Sequence, residues 1–270
     1  MSIPIETVRT ERFSMRYFRF GSGKKTFVIL PGLAVQSVTG AAEAVAQGYA
    51  AFTEAYTVYV FDRRSELPPV YSIRDMARDT AEAMLALGLR DVDLFGASQG
   101  GMMALVIAME YPQLVHKLVL GSTSSHVLPA QFAVVENWIR LARAGDREGL
   151  YLSFGEELYP PAVFAQAREG LLAAAKTVTD EDLDRFVILA EGIRDFDVSD
   201  QLSRIQCPVL AIGVFEDAVL DADATMEIAE KLDVRPDFKL FMYIGYGHAA
   251  FDTAPDYRER ILRFFRGEES

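Results

Sequence analysis

The sequence predicts an α/β fold in which helices flank a mostly parallel sheet of eight strands, with a helical lid inserted after the sixth strand. Short β-branched and aromatic runs alternate with longer runs of helical period, which is typical of parallel strands joined by helices. The stretch from residue 124 to 196 breaks this alternation, because it contains helical patterns but no strand. The 270 residues are 50% hydrophobic, which suits one large folded domain with such an insertion.

The predicted strands are short apolar runs that end at glycine, proline or charged residues. Residues 8–20 are predicted to form an opening hairpin, and Gly21-Ser22-Gly23 is predicted to turn from it into the first buried strand. The predicted buried strands cover residues 27–30, 57–61, 92–95, 118–120, 209–212 and 238–244. Because parallel strands need crossovers of a dozen or more residues, helices are expected between most of them.

Helical periodicity is found both between the strands and in the insertion. The predicted core helices cover residues 73–88, 99–110 and 257–265. In the insertion, helical patterns cover residues 133–144, 162–176 and 180–191. We therefore expect a core made of residues 1–123 and 197–270, with a helical cap made of residues 124–196.

The net charge and the cysteine content of the chain narrow the kinds of binding partner and the cell compartment that we expect. The chain carries 27 Lys and Arg against 39 Asp and Glu, a net charge of −12. Such a surface repels phosphate backbones and anionic lipids, so a small-molecule substrate is expected rather than nucleic acid or membrane. The single cysteine, Cys207, and the lack of an apolar signal core favour a cytoplasmic protein. Assembly into a homo-oligomer is compatible with the sequence.

The residues Gly96-Ala97-Ser98-Gln99-Gly100 have the form G-x-S-x-G, between a predicted strand and a predicted helix. A serine in so tight a turn needs small residues on both sides. Ser98 would then project above the carboxyl ends of the strands, at the positive end of the following helix. The motif therefore predicts a nucleophile.

A serine nucleophile needs a base, and the chain has 3 histidines. His248 follows the last predicted strand in a glycine-rich loop, where an imidazole can return over the strand ends. His116 lies at the opposite edge and is expected to be structural, whereas His126 begins the insertion and is expected to line the pocket.

The base in turn needs a carboxylate to orient it. The loop after the strand at residues 209–212 offers Asp217, the favoured candidate, with Glu216, Asp221 and Asp223 as rivals. The loop after residues 118–120 contains no acid, which favours this assignment.

Two backbone N–H groups are expected to form the oxyanion hole: those of Gln99 and of Leu33, in the loop after the first buried strand. Pro31 has no N–H group and is excluded. Aromatic residues of the insertion are expected to form mainly its own core, and Met102, His126 and Trp138 are predicted to line the substrate pocket. No metal ligands are predicted.

The chain order Ser98, Asp217, His248 resembles that of the α/β-hydrolase fold superfamily over nearly the whole chain. Residues 111–120 and 254–257 also look like family signatures. Within the superfamily, the chain is similar to capped esterases, enol-lactone hydrolases and C–C bond hydrolases. The resemblance implies a nucleophile, an acid and a base at these three positions, oxyanion donors at Leu33 and Gln99, and no cofactor.

Two loops depart from the family pattern. Many relatives have His-Gly where this chain has Pro31-Gly32, and many have Asp-x-Arg-Gly-x-Gly where it has Asp62-Arg63-Arg64-Ser65-Glu66. The second loop is expected to support the site and reshape one wall of the pocket.

The leading hypothesis is a serine hydrolase that cleaves a carboxylic ester or lactone of a small, largely apolar substrate through an acyl-enzyme. A C–C bond hydrolase or a cofactor-free lyase would use the same three residues, because a fold does not determine a reaction. A non-catalytic small-molecule receptor is the alternative from another class, although a receptor has no need of an intact triad.

Overall fold

The sheet is the centre of the structure, a computed structural model that describes residues 2–268. Its strands are β1 (Ile5–Arg9), β2 (Ser14–Phe20), β3 (Lys25–Leu30), β4 (Tyr56–Arg64), β5 (Val92–Ala97), β6 (Val115–Gly121), β7 (Val209–Val214) and β8 (Phe238–Tyr243). The order across the sheet is β1-β2-β4-β3-β5-β6-β7-β8. β1 and β2 form an antiparallel hairpin that pairs with β4, and β3 to β8 are parallel. The predicted strands are all present, most of them a few residues longer.

The α-helices of the described residues are α1 (Ala42–Gly48), α2 (Ile73–Ala86), α3 (Gln99–Glu110), α4 (Pro129–Arg143), α5 (Arg147–Leu158), α6 (Pro161–Ala175), α7 (Asp180–Glu191), α8 (Asp221–Leu232), α9 (Ala250–Thr253) and α10 (Tyr257–Arg266). α3 and α7 have the predicted bounds. α2 begins at the predicted residue and ends at Ala86, just before Gly88, whose φ of 74° is typical of a residue that ends a helix. α1, α5, α8 and α9 were not predicted.

Side chains that alternate in direction along the central strands divide the apolar core between the two faces of the sheet. Val28 and Leu30 belong to one buried cluster, whereas Phe27 and Ile29 belong to the other. Successive side chains of a strand point to opposite faces, so these two clusters lie on either side. β5 and β7 are buried along their whole length, as expected for parallel strands covered on both faces.

The helices α4 to α7 lie between β6 and β7 and form the insertion. Its two ends meet where His126 pairs with Asp197 in an isolated antiparallel bridge. α7 is joined to the core: Arg185 donates to the carbonyl of Arg64 at 2.9 Å, and the carbonyl of Leu189 accepts from the side chain of Gln99 at 2.8 Å. The insertion is therefore bonded to the core next to Ser98.

None of the helices described within residues 2–268 is long and apolar enough to span a membrane.

Candidate active site

Ser98 occupies a strained turn between β5 and α3. Its φ is 51° and its ψ is −121°, at the position immediately before the first helical residue. A positive φ is uncommon for a residue with a side chain, and such strain collects at functional sites. Hydrogen bonds hold the turn: the N–H of Ser98 donates to Gly121 at 2.8 Å, and its carbonyl accepts from the Thr123 hydroxyl at 2.7 Å. The serine is thus fixed at the end of the sheet where the parallel strands terminate.

Gly96 and Gly100, on either side of Ser98, lie so close to neighbouring backbone that a side chain would not fit. A Cβ atom on Gly96 would lie 2.3 Å from the carbonyl oxygen of Gly100, and one on Gly100 would lie 2.0 Å from that of Leu30. Both distances are far below a normal van der Waals contact, so no larger residue fits without moving backbone. This confirms the steric reason for G-x-S-x-G.

His248 and Asp217 form a buried pair. Nδ1 of His248 lies 2.8 Å from Oδ2 and 2.9 Å from Oδ1 of Asp217. The carboxylate also accepts the backbone N–H groups of Val219 at 2.9 Å and Leu220 at 3.0 Å. These bonds fix the carboxylate, and a hydrogen bond at Nδ1 leaves Nε2 of the imidazole free to act as a base.

The rival acids are placed elsewhere. Glu216 accepts the N–H of Gly245 at 2.7 Å and is exposed. Asp221 and Asp223 belong to the first turn of α8, where negative charge stabilises a helix N-terminus. Among the predicted alternatives, Asp217 is the acid bonded to His248. His116 bonds to Asp93 at 2.7 Å near the start of β6, far along the strand from Ser98.

Ser98 and His248 line one cavity of about 920 Å³ between the core and the insertion. Leu33 and Gln99, the predicted oxyanion donors, line it as well. The loop after β3 passes beside the nucleophile, since a Cβ atom on Gly32 would lie 3.3 Å from that of Ser98. The structure therefore brings the predicted nucleophile, base and both oxyanion segments to one cavity, with Asp217 behind the base.

The three residues predicted to line the pocket lie outside this cavity, and the structure corrects that prediction. Met102 is fully buried in the core from α3. Trp138 packs against Phe154, with ring centroids 4.1 Å apart, and so belongs to the core of the insertion. His126 lines a separate cavity of about 370 Å³, where its Nδ1 lies 2.8 Å from Glu227.

Arg63 and Asp252 line the cavity but were not predicted as site residues. Arg63 was noted as part of the unusual loop after β4, but its buried side chain enters the site. Asp252, in α9 one turn after His248, also lines the cavity. The sequence shows an acid shortly after the predicted base, and this signal could have identified Asp252.

Asp252 is an ionisable residue of the cavity lining, and about half of its side chain is exposed. Burial raises the pKa of this carboxyl, and Arg258, 3.9 Å away, only partly opposes the shift. Tyr49 and Tyr159 also line the cavity and supply no compensating positive charge. The ionised form is therefore disfavoured in the folded protein relative to the unfolded chain.

Replacing Asp252 by asparagine is expected to raise the melting temperature near neutral pH. A raised folded-state pKa means that ionisation costs stability above that pKa, and that the cost vanishes below the unfolded value near 3.8. Because the side chain is 54% exposed to the cavity, solvent screens the effect and the gain is on the order of 1–2 °C. Thermal unfolding at several pH values measures it. A gain that persists below about pH 4, or a loss at neutral pH, contradicts this account.

Comparisons with known proteins bear on the fold. A sequence model described as alpha/beta hydrolase fold matches residues 25–255. A protein of Pseudomonas savastanoi pv. phaseolicola named "Putative carbamate hydrolase RutD" is 26% identical over 244 residues, which cover 83% of this chain and 88% of that protein.

Two solved structures share the fold. MGS-M2, an alpha/beta hydrolase from a Medee basin deep-sea metagenome, superposes with a TM-score of 0.86 at 20% identity, covering 98% of each chain. The enol-lactonase of Burkholderia xenovorans LB400 superposes with a TM-score of 0.81 at 16% identity, covering 97% of this chain and 100% of its own. At these identities the likeness shows the fold alone.

Proposed function

Because this chain belongs to the α/β-hydrolase fold family, we propose that it is a serine hydrolase that cleaves a carboxylic ester or lactone of a small, largely apolar substrate through an acyl-enzyme. The observation that carries the proposal is the arrangement of Ser98, His248 and Asp217. Ser98 and His248 line the same cavity, and the imidazole is bonded to Asp217 through the nitrogen that leaves Nε2 available.

The proposed reaction has two halves. His248 takes the proton of Ser98 as its Oγ attacks the substrate carbonyl, and negative charge develops on the carbonyl oxygen. The N–H groups of Leu33 and Gln99 stabilise that charge, and the alcohol leaves with the proton from His248. Water then attacks the acyl-enzyme with the same histidine as base, which releases the acid and restores Ser98.

The cavity supports a substrate larger than a few atoms. A volume of about 920 Å³ lies within the range that holds drug-sized ligands. Much of its wall is apolar and comes from the insertion and from the segments that follow β3 and β8; members include Val45, Phe154, Leu158, Leu171, Leu189 and Phe251. An apolar acyl or alcohol group of moderate size would bury its surface there.

A carbamate is the second candidate substrate, because the curated relatives are named for carbamate hydrolysis. A carbamate also presents a carbonyl to a serine nucleophile, so the same residues would act on it. An unsubstituted carbamate would leave most of the cavity filled with water, whereas a carbamate with an apolar substituent would fill it as an ester does.

A substrate panel tests the proposal. We expect the purified protein to hydrolyse neutral aryl and alkyl esters, with kcat/KM rising with acyl chain length until the cavity is filled, and the Ser98→Ala variant to lose this activity. A clear preference for dianionic or cationic esters contradicts the apolar substrate class. Turnover of carbamates alone supports the second candidate, and cleavage of a vinylogous diketone without ester turnover supports a C–C bond hydrolase. Tight binding without turnover, unchanged in Ser98→Ala, indicates a receptor.

A further inference from the structure

Arg63, near the end of β4, is a buried cation at the site, and its side chain takes no part in the three-residue relay. It is 4% exposed, and its guanidinium lines the cavity of Ser98. One nitrogen, Nη2, donates to the carbonyl of Pro31 and to Oε1 of Gln99, both at 2.9 Å. A single group therefore bridges the loop after β3 and the first residue of α3.

These two partners belong to the two segments that carry the proposed oxyanion donors. Pro31 lies two residues before Leu33, and Gln99 supplies its own backbone N–H. The two segments are 66 to 68 residues apart in sequence, so local structure alone does not set their separation. The other end of the Gln99 amide donates to Leu189 at 2.8 Å, which fixes the amide oxygen toward Arg63.

Among the residues that the structure describes, no carboxylate is hydrogen-bonded to the Arg63 guanidinium, and Asp62 opposes the effect of burial only through space. The neighbouring carboxylate of Asp62 accepts from the Ser37 hydroxyl at 2.6 Å, from the backbone N–H of residue 63 at 2.7 Å, and from Arg185 at 3.4 Å. Burial lowers the pKa of Arg63 to about 10, so the guanidinium remains protonated near neutral pH but is poorly solvated. Burying a cation without a bonded carboxylate costs free energy, because no ion pair replaces its lost hydration.

We propose that Arg63 is the positioning residue of the oxyanion hole: its guanidinium holds the loop after β3 and the start of α3 at the spacing that lets both N–H groups meet one oxygen, and its charge favours negative charge there. This rests on the proposed function, because it assumes that Ser98 attacks an electrophile in this cavity. Preorganised donors and charge act on the developing oxyanion more than on the neutral substrate. The Arg63 contribution is therefore expected in kcat and not in KM.

The experiment compares Arg63→Gln and Arg63→Lys with the neighbouring control Arg64→Gln. Arg64 donates to the carbonyl of Glu66 at 2.7 Å and lies outside the cavity lining. The first readout is the rate at which a fluorophosphonate labels Ser98. In that reaction the Oγ–P bond forms, fluoride leaves, the serine proton passes to His248, and negative charge builds on the phosphoryl oxygen. This readout needs no natural substrate, so it tests Arg63 even when the protein turns over no ester.

We expect Arg63→Gln to slow labelling by about 100-fold, comparable to the smaller losses seen when an oxyanion donor itself is removed, because both N–H groups then lose their spacing. Arg63→Lys keeps the charge without the planar fork and is expected to recover only part of the rate. Arg64→Gln is expected to label like the unchanged protein. On the best ester, kcat should fall in parallel with labelling while KM changes less than about threefold.

The affinity for an alkyl boronic acid, which forms a tetrahedral adduct with Ser98, should fall with kcat, and the affinity for a product carboxylic acid should not. Unchanged labelling in Arg63→Gln, full recovery in Arg63→Lys, or a rise in KM at constant kcat overturns the proposal.

A second variant covers the case in which the Arg63 variants do not fold. Gln99→Met keeps the backbone N–H of residue 99 and removes the oxygen that accepts from Arg63. We expect labelling of the folded variant to slow by about 10-fold, and labelling of the folded variant at the original rate overturns the proposal.

Discussion

Replacing His248 by alanine is expected to lower kcat by about five orders of magnitude, since the hydroxyl of Ser98 then has no base to accept its proton. The imidazole is 1% exposed and its Nδ1 is bonded to Asp217, which fixes its orientation in the site. KM should change little, because the histidine acts on the transition state and not on the bound substrate. Steady-state kinetics on an activated aryl ester measures both quantities.

His126→Ala is the matched control for this variant. His126 is the other histidine that the sequence placed near the pocket, but it lies against Glu227 in a different cavity. Its removal should leave kcat within about threefold of the original value, the usual range for a residue that does not contact the reacting atoms. Equal losses in the two variants, or full activity in His248→Ala, would remove the base from the proposed mechanism.

Asp217→Asn is expected to lower kcat by about four orders of magnitude. The carboxylate accepts from Nδ1 of His248 and from two backbone N–H groups. An asparagine has one oxygen and one NH₂ group, so its oxygen stays with the backbone donors and its NH₂ group faces Nδ1. Nδ1 must then accept a hydrogen bond, which places the ring proton on Nε2 and leaves the imidazole unable to take the proton of Ser98.

Glu216→Gln provides the comparison for that variant. Glu216 is the adjacent rival acid, and its carboxylate accepts the N–H of Gly245 instead of contacting the imidazole. An amide oxygen can accept the same bond, so kcat should change less than about threefold. If Glu216→Gln costs more than Asp217→Asn, the acid has been assigned to the wrong residue.

The elements near Ser98 could be predicted from sequence because their signals are local. A buried strand, two glycines and an apolar helix within residues 92–110 require one type of turn, and the structure has that turn. Because His248 follows the carboxyl end of a parallel strand, as Ser98 does, the strand order then places both at the same end of the sheet. The sequence favoured Asp217 as the acid that orients His248, but it did not exclude Asp221 and Asp223, which follow closely in the chain. Asp221 and Asp223 can be excluded only when it is known that α8 begins at Asp221, and in the sequence this acidic first turn is indistinguishable from a loop.

The pocket wall could not be predicted because it depends on how the insertion packs. Met102 and Trp138 have the apolar character of pocket residues, but the direction of each side chain is set by neighbouring helices. Arg63 illustrates the same limit. Its position after a buried strand is visible in the sequence, whereas the hydrogen bonds to Pro31 and Gln99 join segments far apart in the chain.

Mapping the site of fluorophosphonate attachment by mass spectrometry tests the whole account most directly. We predict one adduct per chain, located on the peptide that contains Ser98, absent from Ser98→Ala and strongly slowed in His248→Ala. No adduct on the folded protein, or an adduct on another residue that persists in Ser98→Ala, would contradict the claim that these side chains form one nucleophilic centre.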